Sequence, residues 1–190
     1  LIDDCGVDVV LIGDSLGMVI QGYKNTRSVT MQDMLYHTKF VANSCQQALV
    51  IADMPFQSYD SSELALINAQ NLVNVGADMV KIEGGQEHEE VFRVLSSNNI
   101  NICGHLGLQP QMVTDSSEYK IQGKDENSAK LILSDALLLE SLGVSSLVLE
   151  CIPSTLAKEV SSKLNIPTIG IGAGKDCDGQ VLVCYDMLGI

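Results

Sequence analysis

The chain has no tryptophan, and aromatic residues make up only 4% of its 190 positions. A core in a chain of this length must then be built from Val, Ile, Leu, Ala and Met, which suits a buried parallel sheet packed against helices. Basic residues are also scarce: 11 Lys and Arg stand against 24 Asp and Glu, a formal net charge of −13. Such a surface repels nucleic acid and anionic membranes, so neither is expected as a partner. No apolar run approaches the roughly 20 residues that span a bilayer. No secretory signal follows Leu1, and a cytoplasmic location is expected. CxxC spacing is missing among Cys5, Cys45, Cys103, Cys151, Cys177 and Cys184, and the histidines are only His37, His88 and His105. That spacing supplies no four-ligand structural zinc site, so reduced thiols are expected. Cys103 and Cys151 lie in or beside apolar runs and read as small core residues.

What the chain does have is a regular alternation. Short runs rich in Val and Ile begin near Val7, Ala48, Asp78, Ile100, Ser145, Ile166 and Gly179, each followed by turn residues. Each is too short for a helix and reads as a buried strand. Amphipathic stretches lie between many of them. The first places Leu64, Ile67, Leu72 and Val75 near helical spacing, with Ser61 or Ser62 as cap and Gly76 as stop. A second runs from Ser128 to Gly143, and a third covers PSTLAKEVSSKLN from Pro153. Strand and helix in alternation mean an α/β protein with a parallel sheet, and residues 1–190 read as one domain. LIDDCG at the start reads as the end of a helix. The simplest closed solution for seven strands is a (β/α)8 TIM barrel lacking its first strand and last helix in this chain. Two strand edges would then be unpaired, and the piece alone is expected to fold poorly and be inactive. A doubly wound open sheet is the alternative, but no glycine-rich dinucleotide fingerprint follows the first strand.

The polar residues fall at one place in this pattern. Asp14 ends the first strand, Asp53 the second, Lys81 and Glu83 the third, His105 the fourth and Glu150 the fifth. In a βα barrel these carboxyl ends form the rim where active sites are built. Lys81 and Glu83 are two apart, so on a strand they share a face. A mutual ion pair closing a core is the plain alternative. Several carboxylates in one mouth would be costly without a partner, and a divalent cation removes that cost. Asp14, Asp53 and Glu83 offer hard oxygen donors from adjacent strands, which favours Mg²⁺ with water and substrate completing the octahedron. Ser15 follows Asp14 and suits either a substrate carboxylate or a helix cap. His105, in GHLG, suits an anionic substrate; His37 and His88 read as helix residues. The turn IGIGAG from Ile169 resembles a phosphate-binding loop, a weak signal by itself.

GDSLGM, VTMQDMLYHT, ADMPFQSY, MVKIEGG, CGHLGLQPQ, YKIQG, SDALLLESLG, LVLECIP, IPTIGIGAG and DGQVLV occur in this order over essentially the whole chain. Together they resemble the ketopantoate hydroxymethyltransferase family. The resemblance implies a (β/α)8 barrel, Mg²⁺ dependence, a cytoplasmic location and a homo-oligomer, decameric in the family. It also implies transfer of a one-carbon unit from 5,10-methylenetetrahydrofolate to 3-methyl-2-oxobutanoate, giving 2-dehydropantoate for pantothenate biosynthesis. Position by position, Asp14, Asp53 and Glu83 fall on the family's metal-associated acids. Asp14, Ser15, Asp53 and Lys81 fall on its keto-acid contacts, His105 on a further active-site position and Glu150 on its proton acceptor. Two departures stand out. TDSSEYK replaces a usually glycine-rich segment over residues 114–120, and Tyr185 stands where a His is common, so no role is carried onto it. A different Mg²⁺-dependent enzyme on a phosphoenolpyruvate mutase or isocitrate lyase type of barrel would keep the metal acids and need no folate. A binding subunit without activity would be free to lose the residues retained here.

Overall fold

The computed structural model describes residues 1–190, the side chain of Ser116 excepted. It shows an α/β protein whose seven strands follow one another in hydrogen-bonded order from β1 to β7. They are β1 (Val9–Ile12), β2 (Leu49–Asp53), β3 (Met79–Glu83), β4 (Ile102–Gly107), β5 (Ser146–Glu150), β6 (Thr168–Ile171) and β7 (Gly179–Gln180). The helices are α1 (Leu16–Val19), α2 (Met31–Ala42), α3 (Ser62–Asn74), α4 (Glu89–Ser97), α5 (Glu126–Ser141), α6 (Ser154–Lys163) and α7 (Cys184–Leu188). Packing divides the chain into two compact units: Leu1–Ile82 with Glu90–Cys103, and Glu83–Glu89 with Gly104–Ile190.

In the first unit β1 pairs parallel with β2, Val9 opposite Leu49 and Ile12 opposite Ala52. β2 pairs parallel with β3, bringing Asp53 opposite Lys81. Val50, Ile51, Ala52, Val80 and Ile82 are buried, as expected for strands covered on both faces. The opening turn is a 3₁₀ helix, Asp3–Cys5. Its Asp3 carboxylate accepts the backbone N–H groups of Gln46, Gln47 and Ala48 at 2.9, 3.1 and 2.8 Å, fixing the entry to β2. These bonds, the one from Ala48 foremost, hold the carboxyl below the usual carboxylate range. Ser61 caps α3 through the N–H of Leu64, as its position predicts. The buried stripe of α3 is Ala65, Ala69 and Leu72, whereas Leu64 and Ile67 are exposed. Spacing alone admits both stripes; small side chains let the helix sit closer, and that stripe faces inward.

In the second unit β5 pairs parallel with β6, Glu150 opposite Ile171, and β6 pairs parallel with β7. β7 is only two residues long. Val181 adds one more bond, to the carbonyl of Gly170, before the chain turns into α7, which carries Tyr185. The apolar run from Gly179 is therefore split between a strand stub and a helix. α5 begins earlier than its expected Ser128 start: Asp125 is the cap and accepts from the N–H groups of Asn127 and Ser128. A carboxylate caps as well as a hydroxyl and adds charge at the positive helix end, so Asp125 wins. Residues 114–120 form a tight turn in which Glu118 accepts the Thr114 N–H at 2.7 Å. Asp178 accepts both the backbone N–H and the hydroxyl of Thr168, at 2.8 and 2.9 Å, tying β6 to the start of β7.

Candidate active site

The sequence-predicted residues form two groups, one in each unit. In the first, Asp53 ends β2 and Lys81 lies opposite it on β3, so parallel register puts both side chains on one face. Lys81 Nζ is 3.0 Å from Asp53 Oδ1. This is an ion-pair distance without hydrogen-bond alignment, since Oδ1 accepts no aligned bond. Asp53 Oδ2 accepts the backbone N–H of Asp14 at 2.9 Å, two residues beyond the end of β1. Asp14, Asp53 and Lys81 are all buried, at 3, 3 and 5% exposure. Ser15 is half-buried and precedes α1, but its side chain makes no capping bond. The capping role is thus not taken up, and the hydroxyl stays available beside the acids.

The second group centres on His105, at 2% exposure. Its Nε2 is 3.1 Å from Glu150 Oε2, and its Nδ1 is 3.5 Å from Glu83 Oε1. Glu83 Oε2 accepts the backbone N–H of Gln111 at 3.0 Å. No sequence signal marks Gln111, because a main-chain donor leaves no trace in residue type. The Glu83 and His105 side chains are buried, while that of Glu150 is 19% exposed.

Glycines explain how the chain reaches this geometry. Gly107 has φ +96°, and a Cβ there would lie 2.1 Å from the carbonyl oxygen of Glu150. Only hydrogen permits that approach, which lets Leu108 donate its N–H to the same carbonyl at 2.8 Å. Gly84, at φ +110°, turns the chain after Glu83 and donates its N–H to the carbonyl of His105 at 3.1 Å. Gly85 packs directly on Asp135 of α5, where a Cβ would meet Cγ at 2.4 Å. Asp135 was not foreseen. It is buried beneath the turn after Glu83, and that burial pushes its carboxyl above the usual range. A buried Asp within an otherwise apolar helical run, SDALLLE, is the signal that could have found it.

Among the described residues, no three His, Cys, Asp or Glu side chains gather closely enough to hold a metal ion by themselves. Mg²⁺ does not require such a cage; it uses one or two carboxylates and keeps water or substrate oxygens. Asp53 Oδ1 fits that demand as a buried hard donor with no aligned hydrogen bond, although the Lys81 ammonium competes for it. Glu83 fits less directly, since Gln111 and His105 already address its two oxygens.

The family model described as ketopantoate hydroxymethyltransferase matches residues 1–190. A 3-methyl-2-oxobutanoate hydroxymethyltransferase of Ruthia magnifica subsp. Calyptogena magnifica is 61% identical over 188 residues, covering 99% of this chain and 72% of that protein. One from Thermoanaerobacter sp. is 50% identical over 192 residues, covering 100% of this chain and 70% of that protein. Among solved structures, a putative phosphonomutase from Burkholderia cenocepacia superposes with TM-score 0.69 at 12% identity, over 89% of this chain and 70% of its own. A 2,3-dimethylmalate lyase of the phosphoenolpyruvate mutase/isocitrate lyase superfamily gives TM-score 0.66 at 12% identity, over 98% and 72%. These two likenesses show a shared α/β fold.

Proposed function

The chain belongs to the ketopantoate hydroxymethyltransferase family, and on that premise we propose that it transfers a hydroxymethyl group to 3-methyl-2-oxobutanoate, giving 2-dehydropantoate. The observation that carries this reading is 61% identity across nearly the whole chain to a relative of that name, with the acids and bases of both groups present.

Glu150 is the base in this reading. Its carboxylate is the most open of the second group, reachable by substrate yet shielded enough to accept a proton from carbon. It takes the C3 proton of the keto acid. Lys81, already beside Asp53, lends positive charge to the enolate oxygen as charge develops. Asp14, Asp53 and Ser15 hold the carboxylate end of the keto acid, with His105 as a further site residue. Asp14 and Asp53 would hold Mg²⁺, with Glu83 as the third acid taken from the family pattern. When bound, the ion supplies Lewis-acid stabilisation of charge on the keto and carboxylate oxygens. The enolate carbon forms the new C–C bond to the methylene group of 5,10-methylenetetrahydrofolate. One water is consumed, and tetrahydrofolate leaves. A cytoplasmic location and a homo-oligomer are part of the same proposal. No helix among the described residues is long and apolar enough to cross a membrane.

Isotope exchange at C3 tests the reading. The protein with Mg²⁺ is expected to exchange the C3 proton of 3-methyl-2-oxobutanoate in deuterated water, and to form product only when 5,10-methylenetetrahydrofolate is added. Glu150→Gln should lower both rates by about 10²–10⁴-fold. Unchanged rates would remove Glu150 from its role. Product formation without folate would favour a lyase or mutase of the kind whose fold the chain shares.

A further inference from the structure

We propose that His105 is a positioning residue that orients the Glu150 carboxylate, not a contact to the keto acid. The proposal rests on the reading of Glu150 as base and gives His105 a different task within it. Both ring nitrogens face protein carboxylates, Nε2 toward Glu150 at 3.1 Å and Nδ1 toward Glu83 at 3.5 Å. The ring is 2% exposed, so neither nitrogen is presented to a ligand in solution.

The main chain of Glu150 is already fixed. Its carbonyl accepts the Leu108 N–H at 2.8 Å, Gly107 presses against that carbonyl, and the next N–H, of Cys151, donates to Ile171 at 2.8 Å. Cys151 itself holds φ +52°, a conformation that needs such pinning. What this leaves loose is the side chain, whose terminal carboxylate torsion is soft. Among the described residues, the polar partner of the Glu150 side chain is the imidazole. Oε2 lies off the Nε2–H direction, and in this proposal the soft torsion is what closes that misalignment. Bonds of this kind tighten when substrate arrives. Glu83 on the far side resists rotation of the ring, and the Gly84 N–H holds the His105 carbonyl at 3.1 Å.

The test is C3 proton exchange on the intact protein, with kcat and KM for the keto acid measured separately. His105→Phe keeps a ring and removes the donor. It is expected to lower kcat about 10–100-fold with KM changed less than about threefold. His105→Gln restores an N–H at similar reach and should recover at least half of the loss on a logarithmic scale. In the Glu150→Gln background, His105→Phe should cost nothing more, because nothing remains to orient. A KM raised tenfold or more at unchanged kcat would make His105 a substrate ligand and overturn the proposal. So would additive losses in the double variant. If His105→Phe fails to fold, the His105→Gln and Glu150→Gln pair decides by the same additivity criterion. A wild-type protein that exchanges no C3 proton overturns the reading of Glu150 as base, a failure distinct from a KM effect at His105.

Discussion

The two side-chain groups solve the burial of charge differently. In the first unit, the Asp53 carboxylate meets a Lys ammonium on the neighbouring strand and a main-chain N–H from Asp14. Strand register sets the Lys81 partner, the Asp14 N–H comes from the turn just past β1, and all three side chains are buried. In the second unit, an imidazole lies between two carboxylates, one closed in by Gln111 and one partly open. A neutral imidazole carries one N–H, so it can donate to only one of the two carboxylates, and Glu83 has the Gln111 N–H besides. The first arrangement pairs opposite charges in place, a static description; the second, in the proposal above, takes a proton at its open end. That difference matches the division proposed above between holding the keto acid and taking its proton.

Lys81→Met gives the largest effect on the first group. It strands the buried Asp53 carboxylate, and about 3–5 kcal/mol of stability should be lost, read from urea unfolding. Adding Asp53→Asn should return most of it. If the single variant costs under about 1 kcal/mol, water reaches Asp53 and the static description fails. Gly107→Ala strikes the second group next. Its φ and the 2.1 Å approach to the Glu150 carbonyl predict a loss of about 2–4 kcal/mol. Any surviving fold should exchange the C3 proton more slowly, because the Glu150 main chain must move. Retained stability with unimpaired exchange would show that Glu150 does not depend on that approach.

The smallest effect separates the units by acid titration. Asp178 is held below the usual carboxylate range, chiefly by the Thr168 N–H. A depressed folded pKa adds stability above the unfolded value, about 3.9, and loses it as pH falls through the folded value. Asp178→Asn should therefore lower the unfolding temperature at neutral pH and converge with wild type as pH falls from about 4 through the depressed folded value. Asp3→Asn should do the same for the first unit, since its carboxyl is lowered too. A difference that stays constant down to pH 2 would mean that neither charge matters.

Strand existence was readable because Val and Ile runs end at Gly and Asp turns, and all seven runs do contain a strand. The shortness of β7 was not, because an apolar run looks alike in a strand stub and a helix. Lys81 and Glu83 are both buried, but so are Val80 and Ile82, so burial does not tell one face of β3 from the other. The partners of Lys81 and Glu83 were illegible. Asp53 pairs with Lys81 through cross-strand register, and His105 meets both Glu83 and Glu150 through packing that no spacing encodes. The glycine of GHLG was visible as a turn signal, but its reason, the carbonyl of Glu150, lies 43 positions along the chain from Gly107.

The pairing of Asp53 with Lys81 also bears on how the strands find each other. Parallel strands rich in Val and Ile attract in any alignment, so apolar contacts alone discriminate poorly between neighbouring registers. A slip of one residue would set Asp53 against Val80 or Ile82 in place of Lys81. It would send the strand's side chains to the opposite face and leave a carboxylate and an ammonium each buried alone. Misaligned collapse of β2 on β3 is thereby penalised before any substrate is met, and the residues proposed to hold the keto acid double as the proofreaders of their own strand alignment.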